Sequence, residues 1–301
     1  MKLIKPSVEI LEQAPGLQGI YDMIELCGKT SYKSPVKGGD EAKKFVEARI
    51  NEGHYAVLEF GTVYMCVPVE DWENDAHEWE YMFPENLPWV SENCDGRFIL
   101  ITTNFRHIIE RVGIETMKKY LCDYPINGHT KRYCARFVTD RGVSHELVRH
   151  RVFSFCQEST RYCNYSKDKF GNELTFIIPH WTQNLREGSF DDTLGLDFAW
   201  SSTDGGESLR CNEQEACFMG VLNKVESRYM ESIQKYGLTP QQARQMLPNA
   251  IKTEICMCGF EDDWKHFFDL RYRGTTGKPH PDMLNVATML HEQFEERGIS
   301  L

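Results

Sequence analysis

The chain has 301 residues and a mass of 35.0 kDa, with 34 Lys and Arg against 45 Asp and Glu, a formal net charge of −11. Hydrophobic residues make up 41% and charged residues 26%, the composition of an ordinary globular protein with a sizeable core. No stretch approaches the roughly 20 apolar residues of a membrane helix. The acidic balance argues against a general nucleic-acid binder, because neutralising phosphates needs clustered Lys and Arg. No nucleic acid or membrane partner is therefore expected. Residues 1–16 lack the apolar run of a secretion leader. The eleven cysteines are odd in number and irregularly spaced, with no CxxC pair. They read as reduced thiols of a cytoplasmic protein, packed as small core residues rather than holding a metal.

Residues 41–52 read as an amphipathic helix stopped by Gly53. Residues 57–67, rich in β-branched and apolar types, read as a strand. Residues 68–96 are acidic, contain proline and carry Trp72, Trp79 and Trp89; they read as an excursion from the core, partly folded by its aromatic rings. A strand is expected at 97–103, helices near 104–112 and 114–121, and a strand at 132–139. Ser144 reads as the cap of a short helix, HELVRH. Residues 173–179 read as a strand closed by proline, and the polar 181–214 as a long loop or lid. A helix is expected at about 215–236, ended by Gly237. Thr239-Pro240-Gln241-Gln242 is a capping box with proline at the first helical position. Helices follow at about 262–272 and 282–297. Strands and helices without regular βαβ spacing predict an α+β fold. The expected architecture is a central, largely antiparallel sheet packed with helices, a single domain over 1–301 with insertions at about 68–96 and 181–214.

Two segments stand out chemically. In RGVSHELVRHRVFSFCQESTRY (141–162), Arg141, Arg149, Arg151 and Arg161 crowd together with only Glu146 and Glu158 as acidic residues. Guanidiniums this dense repel unless anions lie among them, and Arg suits bidentate phosphate contacts. Such a cluster is either a site for phosphate-bearing ligands or a solvated basic face paired with the acidic excursion. In DDWKHFFDLRY (262–272), Trp264, Phe267, Phe268 and Arg271 form one helical stripe. A guanidinium in a buried stripe is costly unless paired. It either aims at an anionic or carbonyl-rich ligand or sits in a structural ion pair. Arg244 and His54 are weaker candidates, and His266 borders the stripe. The dinucleotide fingerprint, the P-loop, the GxSxG elbow and the HExxH helix are absent from the sequence.

Arg149-His150-Arg151, then seven residues, then Ser159-Thr160-Arg161-Tyr162, resembles the signature of the flavin-dependent thymidylate synthases. Ala243-Arg244 with Leu247-Pro248, Phe268 through Arg271, and His280-Pro281 before a helix are similar to that family's later blocks. The resemblance implies reductive methylation of dUMP to dTMP, with 5,10-methylenetetrahydrofolate as carbon donor, NADPH as reductant and FAD as hydride carrier. It places Arg149, His150, Arg151, Gln157, His266 and Thr62 at the flavin. It places Glu146, Arg149, Gln157, Glu158, Ser159, Thr160, Arg161, Arg244 and Arg271 at the nucleotide. Arg271 is the catalytic candidate, facing the uracil ring. The resemblance also implies a homotetramer with sites at subunit interfaces. The sequence departs from the family at Phe60, where a histidine is usual, at His266, where asparagine is common, and at 258–261, where an Asn-x-Arg flavin contact is missing. The alternatives are a flavoprotein reductase without methyl transfer and a nucleotide-binding sensor without flavin.

Overall fold

The strand at 252–260 organises the middle of the molecule in the computed structural model, which describes residues 1–84, 86–196 and 198–301. In chain order the strands are β1 (Lys2–Ile4), β2 (Ser7–Leu11), β3 (Thr62–Pro68), β4 (Ser91–Cys94), β5 (Phe98–Asn104), β6 (Arg132–Asp140), β7 (Ser154–Gln157), β8 (Thr175–Ile177), β9 (Gly188–Leu196), β10 (Ala199–Ser202), β11 (Leu209–Arg210) and β12 (Lys252–Phe260). Among the described residues they form three sheets, ordered β2-β6-β12-β7, β11-β10-β9-β1-β8 and β3-β5-β4. Each pairing is antiparallel except β1 with β8. The α+β class therefore holds, but the single central sheet of the sequence analysis is corrected to three.

The four-stranded sheet is covered on both faces, and alternation along its strands decides what each face meets. On β6 and β12, Ala135, Phe137, Ile255 and Met257 point to one side and pack with Trp264, Phe267, Phe268, Val286 and Leu290. Those residues come from the helices Glu261–Arg271 and Pro281–Glu296. Each fully buried aromatic side chain there is worth about 1.5–3 kcal/mol. Cys134, Cys256 and Cys258 point to the other side, with Cys156 of β7, under Met23 and Cys27 of the helix Gly16–Gly28. A small-residue layer lets that helix lie close. Five of the eleven cysteines are thus packing residues, as expected from their burial.

The β3-β5-β4 unit packs its Val63, Met65, Val67 and Ile101 against Ile20, Ile24, Ala42 and Val46 of the helices Gly16–Gly28 and Gly39–Asn51. Within it, Trp72 and Trp79 stack with centroids 5.1 Å apart, on the short helices Val69–Asn74 and Ala76–Met82. The excursion at 68–96 is folded by its aromatics, as its composition suggested. The third unit packs β1 and β8 on the helix Glu213–Gln234 through Leu3, Phe176, Met219, Leu222 and Tyr229.

Three local expectations are corrected. Residues 55–60 form a tight 3-10 turn and the strand begins only at Thr62. The polar segment 181–214 is not a loop: it carries β9, β10 and β11, anchored by buried Phe190, Trp200 and Leu209. Asp140, not Ser144, caps the helix Arg141–Leu147, its carboxylate accepting from the Val143 N–H at 2.8 Å. No helix among the described residues is long and apolar enough to cross a membrane.

Candidate functional site

The helix Glu261–Arg271 carries Arg271 on the same stripe as its three buried aromatics, so burying the rings delivers the guanidinium to the end of the Arg141–Leu147 helix. There Arg271 Nη1 meets Glu146 Oε2 at 2.9 Å and Nη2 donates to the Glu146 carbonyl at 3.3 Å. Nε donates to His150 Nε2 at 3.1 Å. Three of five guanidinium N–H groups are engaged, which leaves two for a ligand. The cost of a half-buried charge is offset by Glu146, and the side chain is fixed in place before any ligand arrives.

His150 is buried, with its ring edge-on to Phe267 at 5.1 Å. Burial, then the Arg271 guanidinium and His266, push its pKa from 6.5 down to about 4. It is neutral at pH 7 and accepts from Arg271, as the geometry requires. His266 itself lies on the exposed side of its helix.

The segment 157–161 leaves the end of β7 and is held from beneath. Gln157 Nε2 donates to Ser144 Oγ at 2.8 Å and to Thr253 Oγ1 at 3.1 Å. Glu158 is buried, accepting from Tyr165 Oη at 2.9 Å and from Lys252 Nζ at 2.7 Å. Lys252 also pairs with Glu254 at 2.8 Å, and Glu254 pairs with Lys33. Burial alone would lower the Lys252 pKa, but Glu158 and Glu254 outweigh it and raise it. This buried relay fixes the chain just before Ser159, half-buried, and Thr160, buried. Arg149, Arg151 and Arg161 are exposed. Among the described residues no carboxylate pairs with them, so the basic segment is not neutralised by the acidic excursion.

A cavity of about 380 Å³ opens beside Arg151. Trp89, Phe153 and Phe260 supply aromatic walls, and Arg106, Arg132 and Arg151 supply positive charge. Glu59 ties the wall together: it pairs with Arg106 at 2.8 Å and accepts from Ser154 Oγ at 2.7 Å. Trp89 Nε1 donates to His107 Nδ1 at 3.3 Å, and His107 Nε2 donates to the Met82 carbonyl at 2.9 Å. A Cβ on Gly259 would stand 2.5 Å from the Phe153 ring, so this stretch of β12 requires glycine. Thr62 lies behind, buried, its Oγ1 accepting from Arg132 Nη1 at 3.3 Å.

Within one chain the sequence-derived candidates do not converge. Arg151 lines the 380 Å³ cavity, Glu146 a second of about 310 Å³, Glu158 a third of about 300 Å³ and Thr62 a fourth of about 270 Å³. Exposed Arg244 follows the helix Pro240–Ala243, on the unit of the five-stranded sheet. Among the described residues, Glu146, His150 and Arg271 are the candidates joined side chain to side chain, with His266 beside them. Glu59, Trp89, Arg132, Tyr165 and Lys252 were missed by sequence reasoning. Arg132 left one signal, a charge at the head of an otherwise strand-forming run; the others left none.

The cavity beside Arg151 thus brings guanidiniums and aromatic walls together, while neutral His150 stands in the separate group with Arg271 and Glu146. Residues 132–297 match the family model of the thymidylate synthase complementing protein, and the chain belongs to that family. It is 28% identical over 148 residues to a probable flavin-dependent thymidylate synthase of Paramecium bursaria Chlorella virus 1, covering 49% of this chain and 60% of that protein. It is 24% identical over 216 residues to the flavin-dependent thymidylate synthase of Mycobacterium marinum, covering 64% and 74%. Against that of Pyrococcus furiosus it is 32% identical over 131 residues, 44% and 42%. The match thus spans under two thirds of the viral and archaeal relatives' own lengths.

Proposed function

We propose that this chain is a flavin-dependent thymidylate synthase, converting dUMP to dTMP with 5,10-methylenetetrahydrofolate, NADPH and FAD. The observation that carries the reading is the bonded group of Arg271, Glu146 and His150. It joins the two segments that were anomalous in the sequence, the basic signature and the aromatic stripe. The three named relatives support it by what they are called.

The residues present fit a flavin nucleotide. The cavity beside Arg151 combines aromatic walls for a ring system with guanidiniums for phosphates, and its volume falls within the usual range of about 300–1,000 Å³. Arg149, His150, Arg151, Gln157, His266 and Thr62 are the proposed flavin residues. A bound flavin supplies hydride chemistry that no side chain offers. The remaining work falls to the chain. Arg149, Arg161 and Arg244, exposed and without acidic partners among the described residues, hold the phosphate with Ser159 and Thr160. Gln157, Glu158 and Glu146 orient the sugar and base. Arg271 places a fixed positive charge and two free N–H groups at the uracil carbonyl, stabilising charge that develops there. His150 stays neutral, so it orients Arg271 without adding a second positive charge.

The scatter of these residues over four cavities supports a homotetramer in which different subunits complete each site. We place the protein in the cytoplasm, with small-molecule substrates as its partners. The test is dTMP formation from dUMP, with FAD, NADPH and the folate each omitted in turn. Product that requires all three is expected. NADPH oxidation without dTMP would replace this reading with the reductase, and dUMP binding without flavin would replace it with the sensor.

A further inference from the structure

Arg132 has no place in the signature, and its surroundings are unusual. It stands at the head of β6, only 8% exposed. Its guanidinium lies over the Phe260 ring, 5.6 Å from the centroid. Nη1 reaches Thr62 Oγ1 at 3.3 Å and Nη2 the Glu59 carbonyl at 3.2 Å, both long and both neutral acceptors. Nε is buried with no partner. Among the described residues no carboxylate pairs with it. The Glu59 carboxylate is taken by Arg106 and Ser154, and the Asp263 carboxylate accepts from the Phe260 N–H. A buried charge in this state carries a desolvation cost that one ring face and two long bonds to neutral acceptors offset only in part.

Arg132 also lines the 380 Å³ cavity. That cavity lies on a seam. Trp89, Arg106 and His107 come from residues before 132, outside the family match, and Phe153, Ser154 and Phe260 from within it. We infer that Arg132 is a specificity-determining residue that receives the anionic group of a planar-ring ligand seated between Trp89 and Phe260. An oxyanion, phosphate or carboxylate, seated in the cavity beside the guanidinium would supply the missing counter-charge. A neutral ring of the same shape would leave the cost uncorrected. Selectivity for the charged ligand therefore comes from a wall that the matched family segment builds only in part. The inference rests on the proposed function only for its choice of probes, which are a flavin and a folate.

The test is equilibrium binding, read by tryptophan fluorescence, with two matched pairs. Riboflavin 5′-phosphate is compared with riboflavin, and folic acid with its dimethyl ester. Wild-type protein should prefer the charged member of one pair by about tenfold or more, and the pair that shows it identifies the source of the anion. In Trp89→Phe the quench by that ligand should fall, locating it in the cavity. In Arg132→Gln the preference should collapse towards unity, while the neutral member binds as before. Arg132→Met, which removes the uncompensated charge, should melt no lower than wild type without ligand; a purely structural arginine gives a lower melting temperature. A preference that survives Arg132→Gln overturns the inference. So does a wild-type protein that shows no preference in either pair, a result independent of whether any variant folds. Binding is read without turnover. A chain that makes no dTMP can still pass, and one that makes dTMP can still fail.

Discussion

Acidification should unfold this protein partly through one residue. His150 titrates at 6.5 when free and at about 4 when folded. Between those values the unfolded chain binds a proton that the folded chain refuses, so stability falls as pH drops. At pH 5 the difference is RT ln[(1 + 10^1.5)/(1 + 10^−1)], about 2 kcal/mol, and at pH 7.5 it is about 0.1 kcal/mol or less. The loss is fully developed below pH 4, at about 3 kcal/mol. Carboxylates titrate over the same range, so the comparison must be with His150→Gln, which keeps a group able to accept from Arg271 Nε but does not titrate. Urea unfolding of both proteins at pH 7.5 and pH 5 gives the answer from the midpoints and slopes. Wild type should lose about 2 kcal/mol more than the variant on going to pH 5. Equal losses would mean that His150 is not held neutral by burial and by Arg271, and the geometry described for this group would be wrong.

Arg271→Ala should cut turnover about 100-fold or more while leaving flavin bound; wild-type turnover would remove Arg271 from the chemistry. Arg149→Ala should weaken flavin retention, measured by the absorbance that survives desalting. Phe267→Ala should cost about 3–5 kcal/mol, because its ring is fully buried between Phe137, Trp264 and His150. Glu215 accepts from the backbone N–H of Gln183, Asn184 and Asn212 and from Asn184 Nδ2. Glu215→Ala should therefore cost about 2–4 kcal/mol and expose the 183–184 peptide to proteolysis sooner than the rest of the chain.

Much of the fold was legible because its periodicities are local. The stripe of Trp264, Phe267, Phe268 and Arg271 needs only the 3.6-residue repeat, and the strand at 132–140 only its alternation. Of the two readings of Arg271, the structure shows the ion pair, with Glu146, and that pair leaves two guanidinium N–H groups unengaged. What failed were features decided at a distance. Residues 57–60 have strand composition, but Leu58 and Phe60 are buried by a tight turn instead. Residues 188–202 look like a loop because polar residues dominate, while a few buried anchors, Phe190 and Trp200, suffice to pin a meander. Asp140 outcompeted Ser144 as a cap because the turn after β6 places its carboxylate over the first free N–H groups. The cavity at Arg132 could not be foreseen, since Glu59, Trp89, Arg132 and Phe260 are far apart in sequence and come from four separate stretches of the chain.

The decisive measurement is flavin reduction by NADPH in the FAD-reconstituted protein, with and without dUMP. Reduction should be faster with dUMP, which would put nucleotide, flavin and reductant in one site governed by Arg271 and the 157–161 segment. Reduction at the same rate with and without dUMP would contradict that arrangement.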